Sequence, residues 1–288
     1  MKLDVVVLAA CLAVSLPVRA LEQDETVTEV TPGADALDPA ALSQLLRRGD
    51  PRAMNNIGLL WAKGYQGKQS WQEALRWWKE AAQRGYTVAM NNIGLAYANG
   101  NGVEKDMQRA LDWWLQSAFF GNAWAMNAVG DCYERGDGVE QDYMMAMTWY
   151  QSAAQQGDRM GMFNVGALFE DGKGVEQDYV EALSWYRRSA EKGDASAMHA
   201  IGRFYREGLG VSTDIVEAWA WQSTAQARFT PEDAEEAKHN ERELVALGAR
   251  LTLDQLTQAR ARAAQIDGSV RPPKIEPEKR LASGQSRT

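Results

Sequence analysis

Cysteine and histidine are scarce in this 288-residue chain, and their spacing argues against chemistry. The cysteines are Cys11 and Cys132, and the histidines are His199 and His239. A metal site legible in sequence needs close ligand pairs such as CxxC or HExxH, and neither spacing occurs. A thiol nucleophile needs an activating base. Cys132 has no histidine beside it and occupies a position that carries Leu60, Ala96, Leu168 and Phe204 at 36-residue intervals, so it reads as a buried, inert thiol. His199 has no Ser or Cys nucleophile set near it, and His239 falls in a charged C-terminal stretch. Glycine pairs such as Gly100-Asn101-Gly102 and Gly136-Asp137-Gly138 superficially suggest a phosphate cradle. A phosphate fingerprint follows a strand and opens a helix, whereas these pairs join two helical patterns. Carboxylates are plentiful, but nothing marks a working pair. The sequence predicts no catalytic residues, no metal and no cofactor, and a hydrolase is its least favoured reading.

The elements that would position any functional residue are repeats. Ala53-Met54-Asn55-Asn56-Ile57-Gly58 returns from Ala89 unchanged, and in recognisable form from Ala125, Gly161 and Ala197, always 36 residues on. Within each copy Ala53, Ile57 and Trp61, or their equivalents, recur at i, i+4 and i+8, one apolar face of a first helix. Gly64, Gly100, Gly136, Gly172 and Gly208 end it. A second helix starts at Ser70, Asp106, Asp142, Asp178 and Asp214, all N-cap types, with Glu73, Glu181 and Glu217 placed for capping boxes. Alanine at 74, 110, 146, 182 and 218 precedes an aromatic pair, Trp77-Trp78, Trp113-Trp114, Trp149-Tyr150 or Trp185-Tyr186, and then Trp221 alone. Gly58 and its equivalents leave room for close helix approach, and the aromatics fill the gaps. One such unit cannot bury its apolar face by itself, so neighbours must stack.

The series AxxxxG, aromatic, GxGV, Asp, Ala, Trp-aromatic and Gly resembles the Sel1-like repeat family, a relative of the tetratricopeptide repeat, over about residues 51–228. The resemblance implies an all-α, right-handed α-solenoid of five 36-residue helix–turn–helix repeats whose first helices line the concave side. It also implies an adaptor or scaffold role in a family whose bacterial members are often exported. Some relatives with paired cysteines in each repeat are associated with β-lactam chemistry; those cysteines are missing here, so that property is not carried over.

If the helices stack as in tetratricopeptide repeats, three rungs line the groove. The first is Asn55, Asn91, Asn127, Phe163 and His199, whose amides suit the backbone of an extended peptide. One turn on stand Leu59, Leu95, Asp131, Ala167 and Arg203, and then Lys63, Asn99, Arg135, Asp171 and Glu207. Trp124 and Trp219 depart from the repeat pattern and read as candidate exposed anchors. Asn56, Asn92 and Asn164, one residue over from the first rung, read as bonds between repeats.

The ends differ from the repeats. Residues 1–20 read as a signal peptide, with Lys2, an apolar run from Val5 to Leu16 and a cleavage site after Ala20. Leu8-Ala9-Ala10-Cys11 is lipobox-like, but the apolar run continues past the cysteine, so lipidation is not expected. Residues 21–37 read as a flexible linker, 38–50 as a capping helix, 229–266 as C-terminal capping helices, and 267–288 as a disordered tail. Net charge is -8 with no Lys/Arg cluster, which disfavours nucleic acid and anionic lipid. The sequence thus predicts an exported, periplasmic or secreted scaffold that holds a protein or peptide in its groove. A glycan- or cell-wall-directed role, resting on the tryptophans, is the alternative.

Overall fold

The structure, a computed structural model, describes residues 48–64 and 69–270. The expected signal peptide, the linker, nearly all of the N-terminal capping helix and the tail from 271 lie outside the described residues. The rest is helical, with no strand among the described residues. Five helix pairs follow in order: α1 (Pro51–Lys63) with α2 (Trp71–Ala82), α3 (Thr87–Asn99) with α4 (Met107–Phe119), α5 (Ala123–Arg135) with α6 (Tyr143–Gln155), α7 (Arg159–Asp171) with α8 (Tyr179–Ala190), and α9 (Ala195–Glu207) with α10 (Ile215–Gln226). A 3-10 turn (Pro231–Asp233), α11 (Ala234–Gly248) and α12 (Leu253–Ser269) complete the described residues. Each helix packs on its partner within the pair, and each second helix packs on the first helix of the next pair, while α10 is covered by both α11 and α12. This is the contact pattern of a solenoid, in which every unit is completed by its neighbours.

The local signals act as their chemistry requires. Asp106, Asp142, Asp178 and Asp214 accept from backbone N–H groups of the turn that follows, and Ser70 accepts from the Glu73 N–H. The glutamates expected to complete capping boxes go elsewhere: Glu73 pairs with Arg76, Glu181 accepts from the Trp185 indole, and Glu217 takes a bidentate Arg262 from α12. Full capping boxes form in the C-terminal cap, at Thr230 with Asp233 and Thr252 with Gln255. There α11 ends at Gly248, and α12 runs three residues past the expected end at Ile266.

Packing inside each pair depends on a bare glycine. A Cβ on Gly94 would lie 2.3 Å from Trp114 Nε1, and one on Gly58 would lie 2.3 Å from Trp78 Nε1. The flat face of the indole therefore rests directly on the first helix. The ring nitrogens are used as well: Trp78 donates to the Asn55 carbonyl at 3.2 Å and Trp114 to that of Asn91 at 3.4 Å. Alanines 74, 110, 146, 182 and 218 are fully buried beside these rings. At 222 the aromatic is replaced by a buried glutamine, Gln222, at the point where the array meets its cap.

Candidate functional site

The asparagine rung does not line an open groove. Asn55, Asn91 and Asn127 are 0%, 0% and 3% exposed. The Asn91 amide donates to Asn122 Oδ1 at 3.0 Å, and Asn127 donates to Asp158 Oδ1. Asn122 and Asp158 are themselves the N-caps of α5 and α7, accepting from the N–H groups of Ala125 and Gly161. Each asparagine thus ties one repeat to the start of the next. Tyr86 holds the equivalent cap position of α3 and makes no side-chain cap bond, so Asn55 instead accepts from Asn92 at 2.9 Å. A peptide cannot reach these amides without opening an inter-repeat contact, and they leave the list of candidate partner contacts.

Phe163 takes the same rung in the fourth repeat and packs on Tyr186, ring centroids 5.3 Å apart. Trp124 and Trp219 are not free anchors either. Trp124 is half-buried edge-on against Trp114 at 6.1 Å, and the Trp219 indole nitrogen lies 3.3 Å from where a Cβ on Gly248 would sit. Trp78 and Trp114 are core residues, and Trp77, Trp113, Trp149, Trp185 and Trp221 pack half-buried against the core clusters. These rows present no row of free indoles for sugar stacking. Their alanine neighbours and strict period reflect packing.

What remains open on the first-helix face are the next two rungs. Leu59, Leu95, Asp131, Ala167 and Arg203 are half-buried, and Lys63, Asn99, Arg135, Asp171 and Glu207 are exposed. Polar links within this face join helices. Arg203 makes a bidentate contact to Glu170 at 2.6 and 2.8 Å, and Glu170 also accepts from Tyr186 at 2.7 Å. One repeat earlier the Tyr150 oxygen lies 2.7 Å from Asp131 Oδ1 and 2.8 Å from Glu134 Oε2. A phenol carries one proton, so both contacts are hydrogen bonds only when one carboxyl is protonated. Burial pushes Asp131 above the usual carboxylate range, opposed by the Tyr150 hydrogen bond and by Arg135.

That shift has a sign. A folded-state carboxyl that holds its proton more tightly than in the unfolded chain stabilises the fold at pH below the unfolded value, about 3.9. This contribution is lost as pH rises through the folded value, so ionised Asp131 costs stability at neutral pH. Asp131→Asn keeps an acceptor for Tyr150 and removes the charge. Its expected effect at pH 7 is a gain of up to about 1 kcal/mol in urea unfolding, shrinking towards zero near pH 3.5. A clear loss at pH 7 would show that the ionised carboxylate is held favourably instead.

Cys132 is buried, and its surroundings raise the thiol to about 12, burial first and then the charges of Asp137 and Asp131. It is an inert core thiol at neutral pH. The two histidines, far apart in sequence, are brought together: His199 on α9 and His239 on α11 stack edge-on at 5.8 Å beside Glu243. Spacing rules missed this group because His199 lies 40 residues before His239, on another helix. Phe119 and Phe120 were also missed. They are 69% and 54% exposed at the end of α4, where the other repeats carry Gln83-Arg84, Gln155-Gln156, Glu191-Lys192 and Ala227-Arg228. Comparison of the repeats position by position carries that signal.

Among the described residues no helix is long and apolar enough to cross a membrane. Comparison with curated proteins gives no match. Among solved structures, a protective antigen of uropathogenic Escherichia coli described as having an SLR fold is similar, at 30% identity and TM-score 0.68 over 80% of this chain. The match spans 48% of that protein, about half its length. A Sel1 repeat protein from Oxalobacter formigenes matches at 25% identity and TM-score 0.64, covering 81% of this chain and 95% of its own. The Sel1 repeat profile matches residues 51–86, 87–118, 125–158, 159–194 and 195–221, the five helix pairs described above. With those pairs stacked consecutively, and with the profile matching all five, the chain belongs to the Sel1 repeat family.

Proposed function

We propose that the chain is an exported scaffold that holds a protein or peptide partner along the open face of its first helices. Sel1 repeats generally mediate protein–protein interaction, and the fold is a scaffold rather than a typical enzyme. One observation carries the choice of face. The glycine and alanine positions that let the helices pack closely are identical in all five repeats, whereas the open rungs change type along the array, from Leu59 and Leu95 through Asp131 and Arg135 to Arg203 and Glu207. Such a face has its leucines in the first two repeats and most of its charge in the last three, a pattern suited to reading one extended guest in one direction. Export rests on the sequence pattern of residues 1–20.

Photo-crosslinkers placed one at a time at Asn99 and Arg135 on this face, and at the exposed Met144 and Val180 on second helices, test the reading. Adducts to a discrete envelope protein are expected at the first two positions only. Lys63→Glu with Arg135→Glu should weaken that capture about tenfold, because both side chains are exposed and reversal of two rim charges repels a matched partner. Adducts confined to Met144 and Val180 would move the partner to the second-helix side.

A further inference from the structure

We propose that His199, His239 and Glu243 form a binding site for a divalent transition-metal ion of the zinc type, joining the last repeat to the helix that caps it. The donor set is two imidazoles and a carboxylate, which suits zinc. His239 and Glu243 stand at i and i+4 on α11 and so share one face. His199 faces them from α9. The three ligand atoms lie within 4.8 Å of one another. His199 Nε2 is 3.8 Å from Glu243 Oε2, and His239 Nε2 is 3.5 Å from Glu243 Oε1. Both separations are long for hydrogen bonds. They are close to the spacing of about 3.3 Å that a tetrahedral ion with bonds of about 2.0–2.1 Å imposes on its donors. The two contacts use different oxygens of Glu243 and the donors lie up to 4.8 Å apart, so side-chain rotation has to close the site around an ion.

The surroundings orient His199 and Glu243 for a metal. Asn240, fully buried, donates through Nδ2 to the Gln222 carbonyl at 3.0 Å and to Gln226 Oε1 at 2.7 Å. Its Oδ1 is thereby turned to His199 Nδ1, 2.8 Å away. A carboxamide oxygen only accepts, so Nδ1 carries the proton and the lone pair sits on Nε2, towards Glu243 and His239. An outer carbonyl fixing the tautomer of a ligating histidine is a general feature of metal sites. Glu243 is held in the same way: Gln222 donates to Oε2 at 2.9 Å, and Arg206 pairs with Oε1. Gln222 replaces the aromatic found at this position in the other four repeats, so the repeat pattern is broken at the site's support. The guanidinium orients Glu243 but also opposes a second positive charge, which sets the affinity below that of a closed structural site.

Titration of the tag-free full chain with zinc chloride, followed by calorimetry, tests this directly. One equivalent is expected to bind. His239→Ala, an exposed position on a surface helix, should weaken binding at least tenfold with the fold unchanged by circular dichroism, and His199→Ala should do the same. Arg206→Gln should tighten binding several-fold by removing the opposing charge. Hydrogen exchange in residues 234–248 should slow on zinc addition in the wild type and not in His239→Ala, since a bound ion ties α11 to α9. No saturable binding to the wild type, or equal binding to His239→Ala, overturns the proposal. It stands independently of the partner face: loss of zinc binding with adducts kept at Asn99 and Arg135 would remove this site alone.

Discussion

Gly94→Ala is expected to destabilise the protein by about 2–4 kcal/mol, a large effect for the addition of one methyl group. By helix propensity alone the change should stabilise, because alanine is favoured over glycine in a helix by about 1 kcal/mol. Packing reverses the sign. The new Cβ would lie 2.3 Å from Trp114 Nε1 and 2.6 Å from its Cδ1. The ring must therefore move by about 1 Å to reach ordinary contact. In moving, it weakens its bond to the Asn91 carbonyl and its edge-on contact with Trp124. Gly268→Ala is the matched control: it lies in α12, and a Cβ there meets nothing within 4 Å. That variant should be neutral or more stable by up to about 1 kcal/mol. Urea unfolding monitored at 222 nm reads both. A Gly94→Ala midpoint within about 0.5 kcal/mol of the wild type would mean that the indole does not rest on the helix as described.

Asn122→Ala should cost about 2–4 kcal/mol, well above the loss of a cap alone. Asn122 does three things at once. It caps α5 through the Ala125 N–H at 2.9 Å, accepts from Asn91 at 3.0 Å and donates to Thr87 Oγ1 at 3.3 Å, all in buried surroundings. Removing it leaves the Asn91 amide buried with neither end satisfied, since Asn91 Oδ1 already lacks a partner. Asp142→Ala makes the comparison, because Asp142 is an exposed cap of α6 serving only the Met144 and Met145 N–H groups. Its expected cost is about 1 kcal/mol. Because a solenoid's stability is a sum over units and their interfaces, Asn122→Ala should also loosen the junction of the second and third repeats. Amide exchange should rise at 87–99 and 123–135 while α9 and α10 keep their protection. Equal costs for the two variants would mean that Asn122 acts as a cap and nothing more.

The two cases mark where sequence reading succeeds and where it stops. Repeat boundaries, the two helices per repeat, the capping aspartates and the glycine turns follow from local chemistry, and each recurs at a fixed interval, so five copies report the same rule. The inward row of alanines and aromatics was legible for the same reason. The orientation of one residue against its neighbour was not. Asn55 and Asn56 are adjacent and chemically identical, yet the helix turns by about 100° between them. Which of the two faces the open side depends on how the next repeat leans, and that is set by contacts with residues some 31 to 37 positions away.

The sequence by itself determined the α-solenoid and its five-unit register. Those properties follow from period, propensity and residue type, which act over a few turns of one helix. Only the tertiary structure decided that the asparagine rung is an inter-repeat clamp, that Asp131 and Glu134 share one phenol, and that His199 meets His239 and Glu243. Each is a meeting of side chains from different helices. A crossing angle or a sideways shift of a few ångströms makes or breaks such a meeting, and no local pattern along the chain encodes either.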